Sequence, residues 1–346
     1  MRIQIGLGLL SVVLLAGIYL LFHWYYQPFS AWNLMPPNPI LVVESTQWPE
    51  SYRQLATSRT GQNLRSVGYL PQASARMQYL QKLLQAEGAS DDFLKNKRIS
   101  ASLYLTSKED FDFLFFVPFQ SDRDKYFFNR LISQYKIDPD FQFQERLFRN
   151  FTIHEVKHPS SGLSFSFILH KDFFVGSYTA ILVEDVVRKI KEGNQAFAFS
   201  DRSTLASLSP ISLRQDGSLV LYLNNRSIHR LVNIFAKEQF GPYLGALESL
   251  ADHTFLSLRD LQNPLQWEGN SFTNVSDSAT FLNIFQGQEA PAFALRDYIP
   301  NRTALLLYLA HSDPARFTQA YLAYWKRHDS QFSTRQARLR KDYQLM

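Results

Sequence analysis

Cysteine is absent from all 346 residues. Its absence excludes disulfides, thiolate zinc sites, iron–sulfur ligation, a cysteine nucleophile and a lipoprotein cysteine. With 14 glycines and 15 prolines, the chain has neither collagen-like nor low-complexity character. Charged residues make up only 19% against 45% hydrophobic, which suits a folded chain and not a disordered one. There is no Walker loop, no G-x-S-x-G elbow and no G-x-G-x-x-G turn. Those three absences remove the usual sequence marks of a P-loop nucleotide hydrolase, a serine esterase and a dinucleotide enzyme.

Aromatic residues are abundant, at 15% of the chain, with 29 phenylalanines among them. Aromatics bury large areas and favour strands, so a sheet-rich domain with a phenylalanine core is expected. An exposed apolar groove for a ligand is the sharper alternative.

One long apolar run is present. Ile3 to Phe22 is interrupted only by Gln4, Ser11 and small glycines. As a helix it reaches about 30 Å, the thickness of a bilayer's hydrocarbon core. His23-Trp24-Tyr25-Tyr26 follows as an interfacial aromatic belt, and Pro28 ends the helix. A cleaved signal peptide would carry a shorter core and small residues at the cut, so an uncleaved anchor is the preferred reading. Arg2 precedes the span and the next basic residue is Arg53. The positive-inside rule then places the amino terminus in the cytoplasm. The expected protein crosses the bilayer once through residues 3–26, with its bulk on the periplasmic side of a bacterial inner membrane.

Beyond the anchor, four stretches repeat a strand, a polar turn and an amphipathic helix. They are 39–44 with 48–55, 111–118 with 122–135, 218–223 with 227–237, and 303–309 with 313–325. The first and fourth look most alike, since Pro-Asn precedes each strand, and suggest a weak internal duplication. Further strands are expected at 99–105, 151–156, 163–169, 173–177 and 267–275, and helices at 74–86, 180–191 and 278–285. The expected fold class is α+β: an N-terminal transmembrane helix, then an antiparallel sheet with helices packed on one side. The division is 1–27 for the cytoplasmic stub and anchor, 28–325 for the ectodomain (with halves at 28–195 and 196–325), and 326–346 for a basic helical tail. Lys326, Arg327, Arg335, Arg338, Arg340 and Lys341 in that tail face Asp329 and Asp342. A solvated tail is expected, and no nucleic acid partner.

Two motifs suggest chemistry. His154-Glu155-Val156-Lys157-His158 fits H-E-x-x-H, in which two histidines one helical turn apart share a zinc ion and the glutamate acts as base. Its surroundings deny the helix: Pro159 follows at once, and Phe151-Thr-Ile-His-Glu-Val reads as strand. Ser133-Gln-Tyr-Lys136 fits S-x-x-K, without a companion K-T-G. The carboxylate pairs Asp110/Asp112, Asp122/Asp124 and Asp138/Asp140 lie at strand ends, where aspartate caps turns and helices. Asn150, Asn225, Asn274 and Asn301 sit in N-x-S/T sequons. No catalytic, cofactor-binding or metal-binding residue is assigned, and no cofactor is expected.

The order of segments resembles bacterial single-span proteins that carry an ectodomain known as a domain of unknown function. The matching pieces are 102–118, 173–178 with 182–186, and 281–288 running into 298–301. The resemblance implies an anchored ectodomain without functional residues to carry over. Since such proteins are often longer, it also implies an amino-terminal portion. The expected function is a non-catalytic binding or scaffolding module in the envelope, its partner an envelope protein or lipid. A carrier or sensor of apolar ligands such as lipids is the alternative, and a zinc hydrolase through His154, Glu155 and His158 a third.

Overall fold

The computed structural model describes residues 29–58, 94, 97–108, 110–159, 162–193, 219–235, 248–260, 266–273, 280–289, 292, 298–300 and 310–342. The expected anchor, the helix at 74–86 and the strand at 303–309 lie outside these residues. Among the described residues no helix is long and apolar enough to cross a membrane.

The described residues begin with a short helix, α1 (Ala31–Leu34), then β1 (Leu41–Ser45) and α2 (Trp48–Thr57). A hairpin follows, β2 (Ile99–Leu105) and β3 (Phe111–Pro118), then α3 (Asp122–Ile137). Four strands come next: β4 (Gln142–Phe148), β5 (Phe151–Lys157), β6 (Ser164–His170) and β7 (Phe173–Ser177). After them lie α4 (Ala180–Glu192), β8 (Leu219–Asn224) and α5 (Asn225–Phe235). The chain continues with β9 (His253–Asp260), β10 (Gln266–Phe272), a 3-10 turn (Phe281–Phe285), α6 (Pro314–His328) and α7 (Phe332–Asp342). The expected start of the tail at 326 falls inside α6.

The ten strands among the described residues join one antiparallel sheet in the order β10-β9-β8-β1-β2-β3-β7-β6-β5-β4. Strands of both expected halves share it, because β1 pairs with β2 on one side and β8 on the other, Val43 facing Ala101 and Leu221. Tight turns close the meander from β4 to β7. Arg149 and Asn150 both take positive φ, the conformation a two-residue hairpin requires, and Lys171 takes it in the next turn.

Helices cover both faces of the sheet, not one as expected. Strand β3 shows this directly, since neighbouring residues point to opposite faces. Leu114 and Phe116 join a core with Val175, Ile153 and Ile168, under α1 (Trp32, Leu34) and α4 (Leu182, Val183, Val186, Val187). Phe115 and Val117 join the other core, with Phe165, Phe167 and Phe174, under α3 (Phe128, Leu131, Ile132, Tyr135). A strand covered on both sides needs a continuous apolar run, which is how Phe111–Pro118 reads apart from Asp112. On the α3 face α5 packs Ile228, Leu231 and Ile234 against Ile40, Leu103 and Phe111.

The α3 core is largely aromatic. Phe128 stacks on Phe174 at 4.6 Å, and Phe174 meets Phe167 at 5.2 Å. Gly176 makes room for this layer: a Cβ there would come within 2.6 Å of the Phe165 ring. Outside the sheet, α6 lays Tyr324 and Phe317 against Phe281 and Phe285 of the 3-10 turn, at 5.5 and 5.6 Å. Asp313 caps α6 by accepting from the Arg316 amide at 3.0 Å.

Candidate functional site

The H-E-x-x-H residues lie on and just past β5, not on a helix. His154 belongs to the α3 face with Val156, while Glu155 points to the α4 face with Ile153. Residues four apart on a strand are about 13 Å apart along its axis, too far for one zinc shell. Each side chain already has other partners. The His154 ring stacks on Phe167 at 5.0 Å, with its Nδ1 3.2 Å from Glu145. Burial lowers the His154 pKa, with the Glu145 carboxylate opposing. Glu155 accepts from Arg146 Nε at 2.6 Å and from Gln144 at 2.5 Å. The His158 ring meets the Phe141 edge at 5.2 Å. The zinc-hydrolase expectation loses its geometric basis.

The S-x-x-K pair is likewise separated in its contacts. Ser133 donates to the Asn129 carbonyl at 2.9 Å, and Lys136 pairs with Glu145 at 2.9 Å. The paired aspartates hold turns and caps. Asp124 accepts from the Gln120 and Ser121 amides at the start of α3 and pairs with buried Lys97. Asp138 accepts from the Asp140 amide at 2.9 Å. Asp112 is buried and accepts from Thr179 Oγ1 at 2.7 Å, tying β3 to the start of α4. Among the described residues no group of three or more His, Cys, Asp or Glu is placed to hold a metal ion.

The site that stands out was not anticipated. It is the segment from Phe29 to Pro36, which lies directly after the expected anchor and is built into the core of the α4 face. Ala31, Trp32, Leu34 and Met35 are all buried. The Trp32 ring meets Tyr222 edge-on at 5.4 Å and lies 6.2 Å from Phe255. Its Nε1 donates to buried Glu44 at 3.1 Å, and Ser100 donates to the same oxygen at 2.8 Å. From α4, Lys189 donates to the carbonyls of Trp32 (3.4 Å) and Met35. Those carbonyls end a helix too short to satisfy them internally, and a lysine fills the gap. Burial pushes the Lys189 ammonium down to about 8. Tyr104 donates to the Pro36 carbonyl at 2.8 Å, and burial raises its hydroxyl pKa strongly. One short segment thus gathers β1, β2, α4, β8 and β9.

Sequence reasoning ended the helix at Pro28 and assigned this stretch no element, only a place at the start of the ectodomain. A usable signal was present: Trp32 and Met35 sit among Pro28, Pro36, Pro37 and Pro39, apolar anchors in a segment that cannot form a long helix.

The segment enters at one end of the sheet. Phe29 lies against Phe173 at 5.9 Å, with Lys171 Nζ 4.1 Å over its ring. The same end carries the β4–β5 turn, the β6–β7 turn and the end of α4, where Arg149 pairs with Glu192. Lys191 lies 5.3 Å over Phe151, and Arg188 5.3 Å over Phe148. Cations thus lie over aromatic faces at this end, beside the Arg149–Glu192 pair. Set against family models, curated proteins and solved structures, the chain matches none of them.

Proposed function

We propose that this chain is a membrane-anchored extracytoplasmic module of the bacterial inner membrane that binds or scaffolds and carries out no catalysis. The observation behind this reading is the burial of Ala31, Trp32, Leu34 and Met35 immediately after the apolar run 3–22 and the belt 23–26. A linker of loose polar residues would let an anchored domain wander. This chain instead packs its first described residues into its core, so a bilayer around residues 3–26 holds the sheet at a fixed short distance. The resemblance to single-span proteins points the same way. The phenylalanines behind the apolar-carrier alternative stack on one another in the α3 core, which removes its motive.

Among the described residues a strand–helix–hairpin order occurs twice, as β1-α2-β2-β3 and as β8-α5-β9-β10. The two copies abut through antiparallel β1 and β8. Trp48 of α2 and the apolar residues of α5 pack on the same face. We read this as an internal duplication related by an approximate two-fold axis between β1 and β8. It joins the first and third of the four repeated stretches; the strand of the fourth, 303–309, lies outside the described residues.

The test is expression of the full chain with a carboxyl-terminal reporter active only outside the cytoplasm. Retention in the membrane after carbonate washing, with the reporter active, is expected. Release by carbonate, or an inactive reporter, sinks the topology. Turnover of an ester, peptide or glycan substrate, abolished by a point substitution, sinks the non-catalytic assignment.

A further inference from the structure

We propose that the end of the sheet formed by Phe29, the turns at Arg149-Asn150 and Lys171-Asp172, and the end of α4 is the face that rests on the membrane, binding anionic phospholipid headgroups through Lys171 and Lys191. This rests on the reading of residues 3–26 as a bilayer anchor. Three observations lead to it.

The first is chain continuity. Only Gln27 and Pro28 separate the aromatic belt from Phe29, which packs against Phe173 at 5.9 Å. Three residue steps span at most about 11 Å. With an anchor in place, Phe29 therefore lies within about that distance of the belt, and the end of the sheet carrying Phe173 is one ring contact of 5.9 Å beyond it.

The second is which structures share that end. Register fixes it: Pro118 faces Phe173, His170 faces Phe173, and Phe148 faces Phe151. The turns at 149–150 and 171–172 thus lie side by side. The α4 helix starts at the opposite end, beside Ser177, and runs toward these turns, where Glu192 meets Arg149. The far end holds Asp138 and Asp140, about 23 Å away along a seven-residue strand.

The third is charge. Two exposed acids at this corner are matched, Asp172 by Lys125 at 3.1 Å and Glu192 by Arg149, while Asp122 at the start of α3 adds one negative charge. Lys171 and Lys191 are exposed and lie over aromatic faces, at 4.1 Å from Phe29 and 5.3 Å from Phe151, and with Lys189 they leave the corner cationic. A cation on an aromatic plate at an interface presents charge to headgroups and an apolar body to the acyl boundary. The attraction falls off over a Debye length, about 8 Å at physiological ionic strength, and the short link from the anchor lets the corner reach that range.

The absence of cysteine makes the test direct. Single reporters are introduced as Asp172→Cys at the proposed face and Asp140→Cys at the far end, each labelled with a fluorophore. The full chain is reconstituted in nanodiscs of phosphatidylcholine with or without phosphatidylglycerol, with a headgroup-attached quencher. Quenching of the 172 reporter several-fold above the 140 reporter, increased by phosphatidylglycerol, is expected. Combined Lys171→Glu and Lys191→Glu substitutions are expected to abolish the increase, and Lys171→Arg with Lys191→Arg to keep it. Failure of the chain to enter nanodiscs overturns the anchor and this face together. Entry with equal quenching at both positions overturns the face alone. Greater quenching at 172 that ignores phosphatidylglycerol overturns the recognition of anionic headgroups.

Discussion

The two faces of the sheet are built by different means. The α3 face is a stack of rings: Phe128, Phe165, Phe167 and Phe174, with few polar atoms among them. The α4 face mixes apolar residues with Glu44, Ser100, Ser102, Asp112 and Ser177, all buried. Burying such groups is unfavourable unless each finds a partner, and partners exist only in one arrangement. The aromatic face therefore supplies bulk stability, while the polar-laced face specifies where one segment, Phe29 to Pro36, must sit. Stability on the first should track volume; on the second it should track donors and acceptors.

The largest expected effect tests the volume side. Phe128 is fully buried, and Phe128→Ala should cost about 3–5 kcal/mol in denaturant unfolding. A loss below 1 kcal/mol would show that the ring stack carries little. On the same face, Gly176→Ala forces a Cβ into the Phe165 ring and should cost about 1–3 kcal/mol by crowding alone.

On the polar face, shape-preserving changes should matter. Thr179→Val keeps the volume but leaves buried Asp112 without the Thr179 hydroxyl, and about 1–3 kcal/mol should be lost. Thermal denaturation would expose a null result, which would equalise the two faces. Lys189 sharpens the contrast through pH. Its folded pKa of about 8 lies below the ordinary 10.5, so the unfolded chain binds the proton more readily between those values. Stability should therefore rise with pH from about 8 to 10.5, by up to about 3 kcal/mol, and Lys189→Met should flatten that rise. Acid works in the same sense at His154 and His170, whose pKa values are both lowered, mainly by burial. Each is neutral in the fold above its depressed pKa, so stability should fall as pH drops below 6.5, and His154→Phe should reduce the fall. The smallest effect belongs to neither face. Leu147 on edge strand β4 is 73% exposed, and Leu147→Ser should change stability by less than about 0.5 kcal/mol.

The main strands and helices of both faces were largely legible from sequence, and the polar contacts of the α4 face were not. Phe111–Pro118, the strand at Phe151–Lys157, the Phe173–Ser177 hairpin arm and the helix at 180–192 all announce themselves through local apolar pattern. Two strands escaped notice. β4 reads Q-F-Q-E-R-L-F, too charged for a buried strand, because it lies at the sheet's edge. β9 reads H-T-F-L-S-L-R-D, where buried Ser257 interrupts the apolar run. The segment at Trp32 was invisible for another reason. Its partners Glu44, Lys189, Tyr222 and Phe255 are scattered along the chain, and no short-range periodicity encodes such meetings. Helices on both faces were missed because β6 alternates apolar and polar residues, yet Ser166 on its polar side is as buried as Phe165 and Phe167.

The pairing of β1 with β8 has a kinetic consequence. Val43 finds its partner Leu221 only after most of the chain has been made. Until then β1 is an apolar strand with one open side, and synthesis at 5–20 residues per second leaves it so for on the order of ten seconds. A nascent chain in that state offers a ready template for association with its neighbours. Such high contact order also slows closure once all the parts are present. Productive folding should therefore depend on a holding chaperone at the exit, and yield should fall steeply with expression rate even where the finished fold is stable.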